Sequence, residues 1–389
     1  TEINGGKCNT EEDFYKACRA ASILGTLQAG YTDFKFLTDT SKLIFDREAL
    51  LGVSITGWMN NPDILFDAKV LQKGAKIVKE VNREVAQIIG INAAARTTCV
   101  KPSGNASVLL QTASGIHAEH SNMYIRNVQM NKESEITQAI MKTNPYMVED
   151  SVWSAGGTDV VVSFPILPKK GSMYKDELLG VKHLELVKKA QKYWVEAGTN
   201  EDLCADKGVR HNVSNTIIVD DWDEVEKYVF ENRHSFAGIS FLAMSGDKDY
   251  NQAPNTAVIT AKDMVKKYGN AAVFASGMVV DALKCFTNLW DACATAKGFG
   301  EDLSLESSEN AIKRDWVRRF GKFADNYLDS DTVLAEHCLK DAYLLHKWNK
   351  IQSTLKTVDW KEDIKERKYT DVDTLAAAAC AGGACEIDF

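Results

Sequence analysis

Ala93-Ala94-Ala95-Arg96-Thr97-Thr98-Cys99-Val100-Lys101-Pro102-Ser103-Gly104-Asn105-Ala106-Ser107-Val108-Leu109-Leu110 is the stretch on which the fold turns. Its first half is short and carries Thr97, Thr98 and Val100, side chains that suit a pleated chain, so Ala93 to Val100 is expected to be a strand. Pro102 stops it, having no N–H to give a neighbouring strand. Ser103 or Asn105 can then cap a helix that continues to Leu110. Gly104 leaves room for an anion beside the backbone. Free N–H groups of a first helical turn, with the Ser103 and Ser107 hydroxyls, would hold phosphate oxygens without many positive charges. The G-x-x-x-x-G-K-S/T spacing of a Walker loop is absent. On pattern alone a plain capped helix is the simpler reading.

Outward from this stretch, strands and helices alternate. Upstream, Phe66 to Ile89 repeats Val70, Ala75, Val78, Val81 and Val85 at helical spacing. Glu11 to Ala29 places Phe14, Ala17, Cys18, Ala21, Leu24 and Leu27 on one face, behind an Asn9-Thr10 cap and first-turn acids. Downstream, Val160–Phe164, Asn215–Val219 and Gly238–Met244 read as strands, and Leu178–Ala197 and Trp222–Asn232 as helices. Helices dominate from Ala261 to about Ile351, with Trp316, Phe320 and Phe323 expected in their core. The pattern predicts an α/β core with an added helical region over residues 1–370. Residues 371–389, rich in Ala and Gly with little to bury, are expected to form a flexible tail. No internal repeat is found.

Composition narrows the function. The 389 residues are 45% hydrophobic and 26% charged, with a formal net charge of −8. No basic footprint is concentrated anywhere, which argues against a nucleic acid polymer as partner but leaves a compact anionic substrate open. The longest apolar stretch, Ala272 to Leu283, is broken by Ser276, Gly277 and Asp281 and is too short for a bilayer, so no membrane partner is expected. Glu2, Glu11, Glu12 and Asp13 stand where a secretory signal would need basic and then apolar residues. Of nine cysteines, Cys18, Cys99, Cys204, Cys285, Cys293 and Cys338 lie singly in apolar or helical surroundings. They are expected to be reduced and mostly buried, as in a cytoplasmic protein. The chain begins with Thr1 rather than Met, which reads as a processed, trimmed or renumbered sequence.

The tail carries a cysteine pair: Cys380-Ala381-Gly382-Gly383-Ala384-Cys385. Two glycines let the backbone fold tightly enough to bring the sulfurs together. From residue 371 the tail would reach roughly 60 Å fully extended, at about 3.3 Å per residue. Such a tail can enter a buried site, exchange thiols with a disulfide there, and leave to be reduced. Incidental thiols and a two-thiolate metal site are the rivals; exposed free cysteines are a liability, and no histidine lies nearby to complete a metal site. His117, Glu119 and His120 form one H-x-x-H without a third ligand at a clear spacing, so a structural or substrate-lining role is expected and no metal site.

Loop and cysteine pair, in this order, resemble the large, catalytic subunits of ribonucleotide reductases, most closely the adenosylcobalamin-dependent (class II) branch. Arg96-Thr97-Thr98-Cys99-Val100-Lys101-Pro102-Ser103-Gly104 looks like the family's substrate-phosphate loop. Ser114-Gly115-Ile116-His117, Tyr124-Ile125-Arg126, Asn232-Arg233, Gly238-Ile239-Ser240, Tyr250-Asn251-Gln252-Ala253-Pro254 and Asn288-Leu289-Trp290-Asp291-Ala292 follow as in that branch. Gly25-Thr26-Leu27-Gln28-Ala29-Gly30-Tyr31-Thr32-Asp33-Phe34 matches near the start. The resemblance implies reduction of the ribose 2′-hydroxyl, on triphosphates, by thiyl radical chemistry. Ser103, Gly104, Asn105, Ala106 and Ser107 would hold the substrate's phosphates. Cys380 and Cys385 would re-reduce an active-site disulfide, themselves served by a thioredoxin-like reductant. The implied fold is the C-terminal half of a ten-stranded α/β barrel. The implied cofactor is adenosylcobalamin, or else a radical from a separate subunit. No Tyr-Tyr pair like that of class I stands near Thr354–Trp360, which favours the cobalamin branch.

The departures define what is missing. The family's Asn-x-Cys-x-Glu, which carries the thiyl cysteine, occurs nowhere in the chain, and Cys8 in Gly5-Gly6-Lys7-Cys8-Asn9 lacks it. In the branch, Cys-Asn-Leu comes immediately before a stretch like Thr1-Glu2-Ile3-Asn4. The expectation is therefore the C-terminal part of a split or intein-interrupted reductase, with Thr1 as splicing nucleophile or as a bland boundary, active only with an N-terminal fragment. A paralogue that binds nucleotide or a reductase subunit as a regulator is the alternative. A thiol oxidoreductase acting through the tail alone is a third.

Overall fold

The protein is described by a computed structural model covering residues 1–244, 250–298 and 308–363. It divides into two units, Thr1–Asn122 with Pro168–Gly246, and Met123–Leu167 with Asp247–Phe389. Elements are numbered along the whole chain.

Unit 1 is built on parallel pairing. β1 (Glu2–Asn4) pairs in parallel with β2 (Ser54–Thr56), in register Glu2 with Ser54. Val53 bridges Thr98 and Val100 bridges Val213, both parallel. β6 (Ile217–Val219) pairs in parallel with β7 (Phe241–Ala243). Five parallel segments thus follow one another in chain order among the described residues. Helices fill the connections, as parallel neighbours require. α1 (Glu11–Ala29) and α2 (Asp39–Glu48) lie between the first two segments. α3 (Pro62–Leu65) and α4 (Ala68–Ile89) precede the third. α5 (Gly104–Leu110) and α7 (Gly180–Ala190) come before the fourth, and α8 (Trp222–Asn232) before the fifth.

Local chemistry explains the long helices. Thr10 and Asp13 form a capping box, with Asp13 N–H donating to Thr10 Oγ1 at 3.1 Å and Thr10 N–H to Asp13 Oδ2 at 3.0 Å. Asp67 accepts from the N–H groups of Lys69 and Val70 at the start of α4. α1 and α4 are stitched by buried polar contacts: Ser22 Oγ to Val78 O at 2.8 Å, and Asn82 Nδ2 to Thr26 Oγ1 at 2.9 Å. Phe14, Trp58, Leu71, Leu184, Trp194 and Ile217 are fully buried in one core between helices and parallel segments.

Ala93 to Val100 occupies a strand's place but makes only isolated bridges: Arg96 antiparallel to Thr199, Thr98 to Val53, and Val100 to Val213. Side chains take over part of the pairing. Thr97 Oγ1 donates to Gly198 O at 2.8 Å and Thr98 Oγ1 to Trp194 O at 2.7 Å. A Cβ on Gly198 would fall 1.9 Å from Thr98 Oγ1, so only glycine permits this approach. The helix expected over Leu178–Ala197 is α7 followed by a π-turn, Gln191–Glu196.

Unit 2 differs. β3 (Tyr124–Asn131) and β5 (Asp159–Ile166) pair antiparallel over their full length, Tyr124 opposite Ile166 and Asn131 opposite Asp159. β4 (Val148–Asp150) and β8 (Asn255–Ala257) complete the sheet in the order β4-β5-β3-β8. The strand expected at Val160–Phe164 therefore lies in this antiparallel sheet and not in the parallel series. Pro165 is tolerated because β4 stops opposite Val162 and leaves that side of β5 free. α6 (Glu135–Thr143) lies between β3 and β4. The helical region comprises α9 (Ala261–Tyr268), α10 (Ala271–Cys285), α11 (Leu289–Gly298), α12 (Ser308–Tyr327), α13 (Thr332–Thr354) and α14 (Trp360–Asp363). Trp316, Phe320 and Phe323 are buried in its core as expected, with Trp316 Nε1 donating to Ala292 O at 2.7 Å. Of the six single cysteines, five are buried; Cys285, the last residue of α10, is exposed. No single described helix is long and apolar enough to cross a membrane.

Candidate functional site

The loop expected to hold phosphate follows the carboxyl end of the third parallel segment, where open α/β sheets place their ligands. Lys101 N–H donates to Ser54 Oγ at 2.9 Å, tying the end of the segment to β2. Ser103 is left-handed, with φ 55° and ψ 30°, and precedes α5 as its N-cap residue. Its hydroxyl makes no capping bond. It donates instead to Glu2 Oε1 at 2.5 Å, and Ser54 Oγ donates to the same oxygen at 3.0 Å. Gly104 and Asn105 are exposed, and a Cβ on Gly104 would meet nothing within 4 Å, so the start of α5 is open to a ligand. Ser107 N–H closes the first turn onto Ser103 O at 2.8 Å. The Ser107 hydroxyl is buried and donates to Gly104 O at 2.9 Å, so it braces the turn from inside.

A second loop supports the first from below. Ser114 Oγ donates to Pro102 O. Gly115, at φ 51°, sits where a Cβ would come within 2.6 Å of Lys101 O, and its N–H donates to Thr56 Oγ1 at 2.9 Å. Asn60, almost fully buried, joins three segments. Its Oδ1 accepts from Thr112 Oγ1 and Ala113 N–H, both at 2.6 Å, while its Nδ2 donates to Glu119 at 2.7 Å and to Ser172 at 2.9 Å. Asn4 Nδ2 donates to Leu110 O at 2.8 Å, so β1 holds both ends of α5.

Two histidines of this region, His117 and His183, are bonded to the backbone. His117 Nε2 accepts the Thr216 N–H at 3.0 Å, so the proton is on Nδ1, which donates to Ser114 O at 3.1 Å. Glu119 is committed to Asn60, and among the described residues no group of His, Cys, Asp and Glu is placed to hold a metal. His183 Nε2 donates to Ile116 O at 3.0 Å. Burial, and then the neighbouring His117, pull the His183 pKa down to about 4; burial lowers that of His117 too. A lowered pKa means that the unfolded chain takes up a proton first as pH falls. The stability contributed by neutral His183 is therefore whole above about pH 6.5 and is lost as pH falls toward about 4, by roughly 3 kcal/mol. Denaturant midpoints should drop across that window, and His183→Gln should flatten the drop; an unchanged slope would refute the assignment.

The structure brings Ser103 to Ser107 together on one turn as the sequence suggests, but the two hydroxyls expected to meet phosphate are otherwise engaged: that of Ser107 turns inward to Gly104 O and that of Ser103 is bound to Glu2. Sequence reasoning missed Glu2, Ser54, Thr56 and Asn60, which come from other segments. Burial raises the Glu2 pKa, outweighing the Ser103 and Ser54 hydrogen bonds that favour the carboxylate. Cys380 and Cys385 lie outside the described residues.

Comparison with known proteins adds three findings. The chain is 29% identical over 191 residues to a probable adenosylcobalamin-dependent ribonucleoside-triphosphate reductase of Dictyostelium discoideum, covering 48% of this chain and 24% of that protein. It is 23% identical over 224 residues to the adenosylcobalamin-dependent ribonucleoside-triphosphate reductase of Euglena gracilis, covering 56% of this chain and 28% of that protein. The chain therefore spans about a quarter of the length of these curated relatives. A solved B12-dependent (class II) ribonucleotide reductase shares the fold over 65% of this chain and 36% of its own, with a TM-score of 0.52 and 18% identity. No family model matches the sequence.

Proposed function

We propose that this chain, a relative of the adenosylcobalamin-dependent (class II) ribonucleotide reductases as its motifs imply, is one portion of such an enzyme and takes part in reducing ribonucleotides, as triphosphates, to deoxyribonucleotides. The observation that carries this reading is the similarity to two reductases so named, combined with an open loop at the carboxyl end of a parallel segment. The five parallel segments of unit 1 would supply the C-terminal half of a ten-stranded barrel.

Ser103, Gly104, Asn105, Ala106 and Ser107 would receive the substrate's phosphates. The backbone N–H groups at the start of the turn would face the ligand, the Ser103 hydroxyl would reach it on leaving Glu2, and Ser107 stiffens the turn. Lys101 adds positive charge beside it. Cys380 and Cys385 would carry electrons from a thioredoxin-like reductant to an active-site disulfide. The thiyl cysteine would come from the rest of the reductase, since this chain has no Asn-x-Cys-x-Glu. Reduction would take place in the cytoplasm and feed DNA replication.

Adenosylcobalamin, when bound, supplies the radical that starts the reaction. Two clefts among the described residues, about 490 Å³ beside Trp222 and Phe230 and about 390 Å³ beside Trp153 and Tyr250, are each smaller than a corrin with its nucleotide. The cofactor would be held by the rest of the reductase.

The test is reconstitution. The chain is combined with the rest of the reductase, adenosylcobalamin, a dithiol and a ribonucleoside triphosphate, and deoxynucleotide is measured. Product that needs this chain is expected. Nucleotide binding without product, with both parts folded and associated, would show a regulator instead.

A further inference from the structure

Glu2, the first residue of β1, touches the loop that Ser103 opens. Its place is set by β1–β2 pairing, which puts it opposite Ser54 in register. One carboxylate oxygen accepts both the Ser103 hydroxyl at 2.5 Å and the Ser54 hydroxyl at 3.0 Å. Ser54 in turn accepts the Lys101 N–H at 2.9 Å, so Glu2, Ser54, Lys101 and Ser103 form one connected set. A left-handed serine needs support from its surroundings, and this carboxylate provides it. Yet the Ser103 hydroxyl has one proton. It cannot donate to Glu2 and to a phosphate oxygen together. A carboxylate held against an arriving phosphate would also repel it.

We propose that Glu2 is a positioning residue of the phosphate loop that exchanges its bond for a proton: it holds Ser103 in place while the loop is empty, and when a phosphate takes the Ser103 hydroxyl, Glu2 takes up one proton from solvent and keeps Ser54 as partner. This rests on the reading of Ser103 to Ser107 as the phosphate loop. The proton removes the like charge beside the ligand, and no bond to phosphorus or carbon changes. The charged and titratable groups facing Glu2 are the Thr1 amino group on its own strand and Lys101 and Cys99 on the third segment. α5 carries no ionisable side chain. Burial pushes the Cys99 thiol up to about 11, so it stays neutral across the relevant range. The amino group and Lys101 favour the carboxylate, but burial of Glu2 outweighs them.

The consequence has a definite sign. A carboxyl whose pKa is higher in the complex makes binding tighter at low pH and weaker as pH rises through the bound pKa. The full chain and its Glu2→Gln, Glu2→Ala and Ser103→Ala variants would be titrated by calorimetry with ATP and with inorganic tripolyphosphate. Buffers of differing ionisation heat would span about pH 5.5 to 8. Wild type should take up protons on binding and weaken several-fold across that range. Glu2→Gln keeps an acceptor for Ser103 without the charge; it should bind about three- to tenfold more tightly at the upper pH. It should also show no proton uptake beyond the ligand's own. Glu2→Ala, which loses the support of Ser103, should bind less tightly than Glu2→Gln. Equal or weaker binding by Glu2→Gln, or proton uptake equal to wild type, overturns the role of Glu2 and leaves the loop standing. If wild type binds neither probe, or Ser103→Ala binds as wild type does, the phosphate loop itself falls and Glu2's role with it.

Discussion

Serine at both 380 and 385 should abolish turnover driven by a thioredoxin-like reductant while sparing a single turnover of the reconstituted enzyme. Each reduction of a ribose hydroxyl consumes two electrons, and a dithiol that supplies them is left as a disulfide. A buried disulfide is out of reach of a protein reductant, so a second dithiol must carry the exchange. Cys380 and Cys385, separated by Ala381-Gly382-Gly383-Ala384, would be that second dithiol. Serine cannot take part in exchange, and the expected loss of steady-state rate is roughly two orders of magnitude or more. The measurement is product per enzyme, first without added reductant and then with a thioredoxin system. A small dithiol that diffuses into the site should restore the double variant. Persisting thioredoxin-driven turnover would end the shuttle assignment.

Alanine at Gly115 should damage both stability and phosphate binding. The backbone there is left-handed, which costs a residue with a Cβ on the order of 1 kcal/mol. The added carbon would also stand 2.6 Å from Lys101 O and 3.4 Å from Pro102 O. Both are backbone atoms of the proposed phosphate loop, so relief comes only by moving that loop. Gly115 N–H and the Ser114 hydroxyl would lose register with Thr56 and Pro102 in the same movement. The combined cost is about 2–4 kcal/mol, read as a shift in denaturant midpoint. ATP affinity should fall about tenfold or more even where the variant is fully folded. Gly277→Ala, in an open helical position of α10, is the stability control and should be neutral or slightly stabilising. Wild-type midpoint and affinity in Gly115→Ala would contradict the support given by the second loop.

What the sequence showed depended on range. α1 and α4 were legible because their signals are local: Thr10 and Asp13 lie three residues apart, and Val70, Val78 and Val81 repeat at helical spacing. The loop at Lys101–Ser107 was legible for the same reason. The parallel series was legible only in part: Asn215–Val219 and Gly238–Met244 contain β6 and β7, whereas β1, β2 and the parallel pairing itself left no signal. Its segments are three residues long or single bridges, too short for any alternation to register. β5 read as a strand from Val160–Phe164 while its partner β3 did not, and nothing in Val160–Val162 distinguishes antiparallel from parallel pairing. Glu2 meets Ser103 from 101 positions away, and Asn60 reaches Glu119 and Ser172 across still other intervals. Such partners are set by the tertiary fold and leave no trace in local pattern. The cysteine pair is the reverse case: it was read wholly from local spacing.

β7 ends the parallel series with Phe241, Leu242 and Ala243 all exposed, and the neighbouring Met244 as well. Parallel sheets in proteins are normally covered on both faces, and an uncovered hydrophobic edge is a template for pairing with another chain. Colloidal behaviour follows from this. Held alone at high concentration, the chain should scatter light and precipitate despite its net charge of −8. Added salt, which screens the repulsion between copies, should hasten the loss. Handling during purification is thus governed less by overall acidity than by three residues of strand.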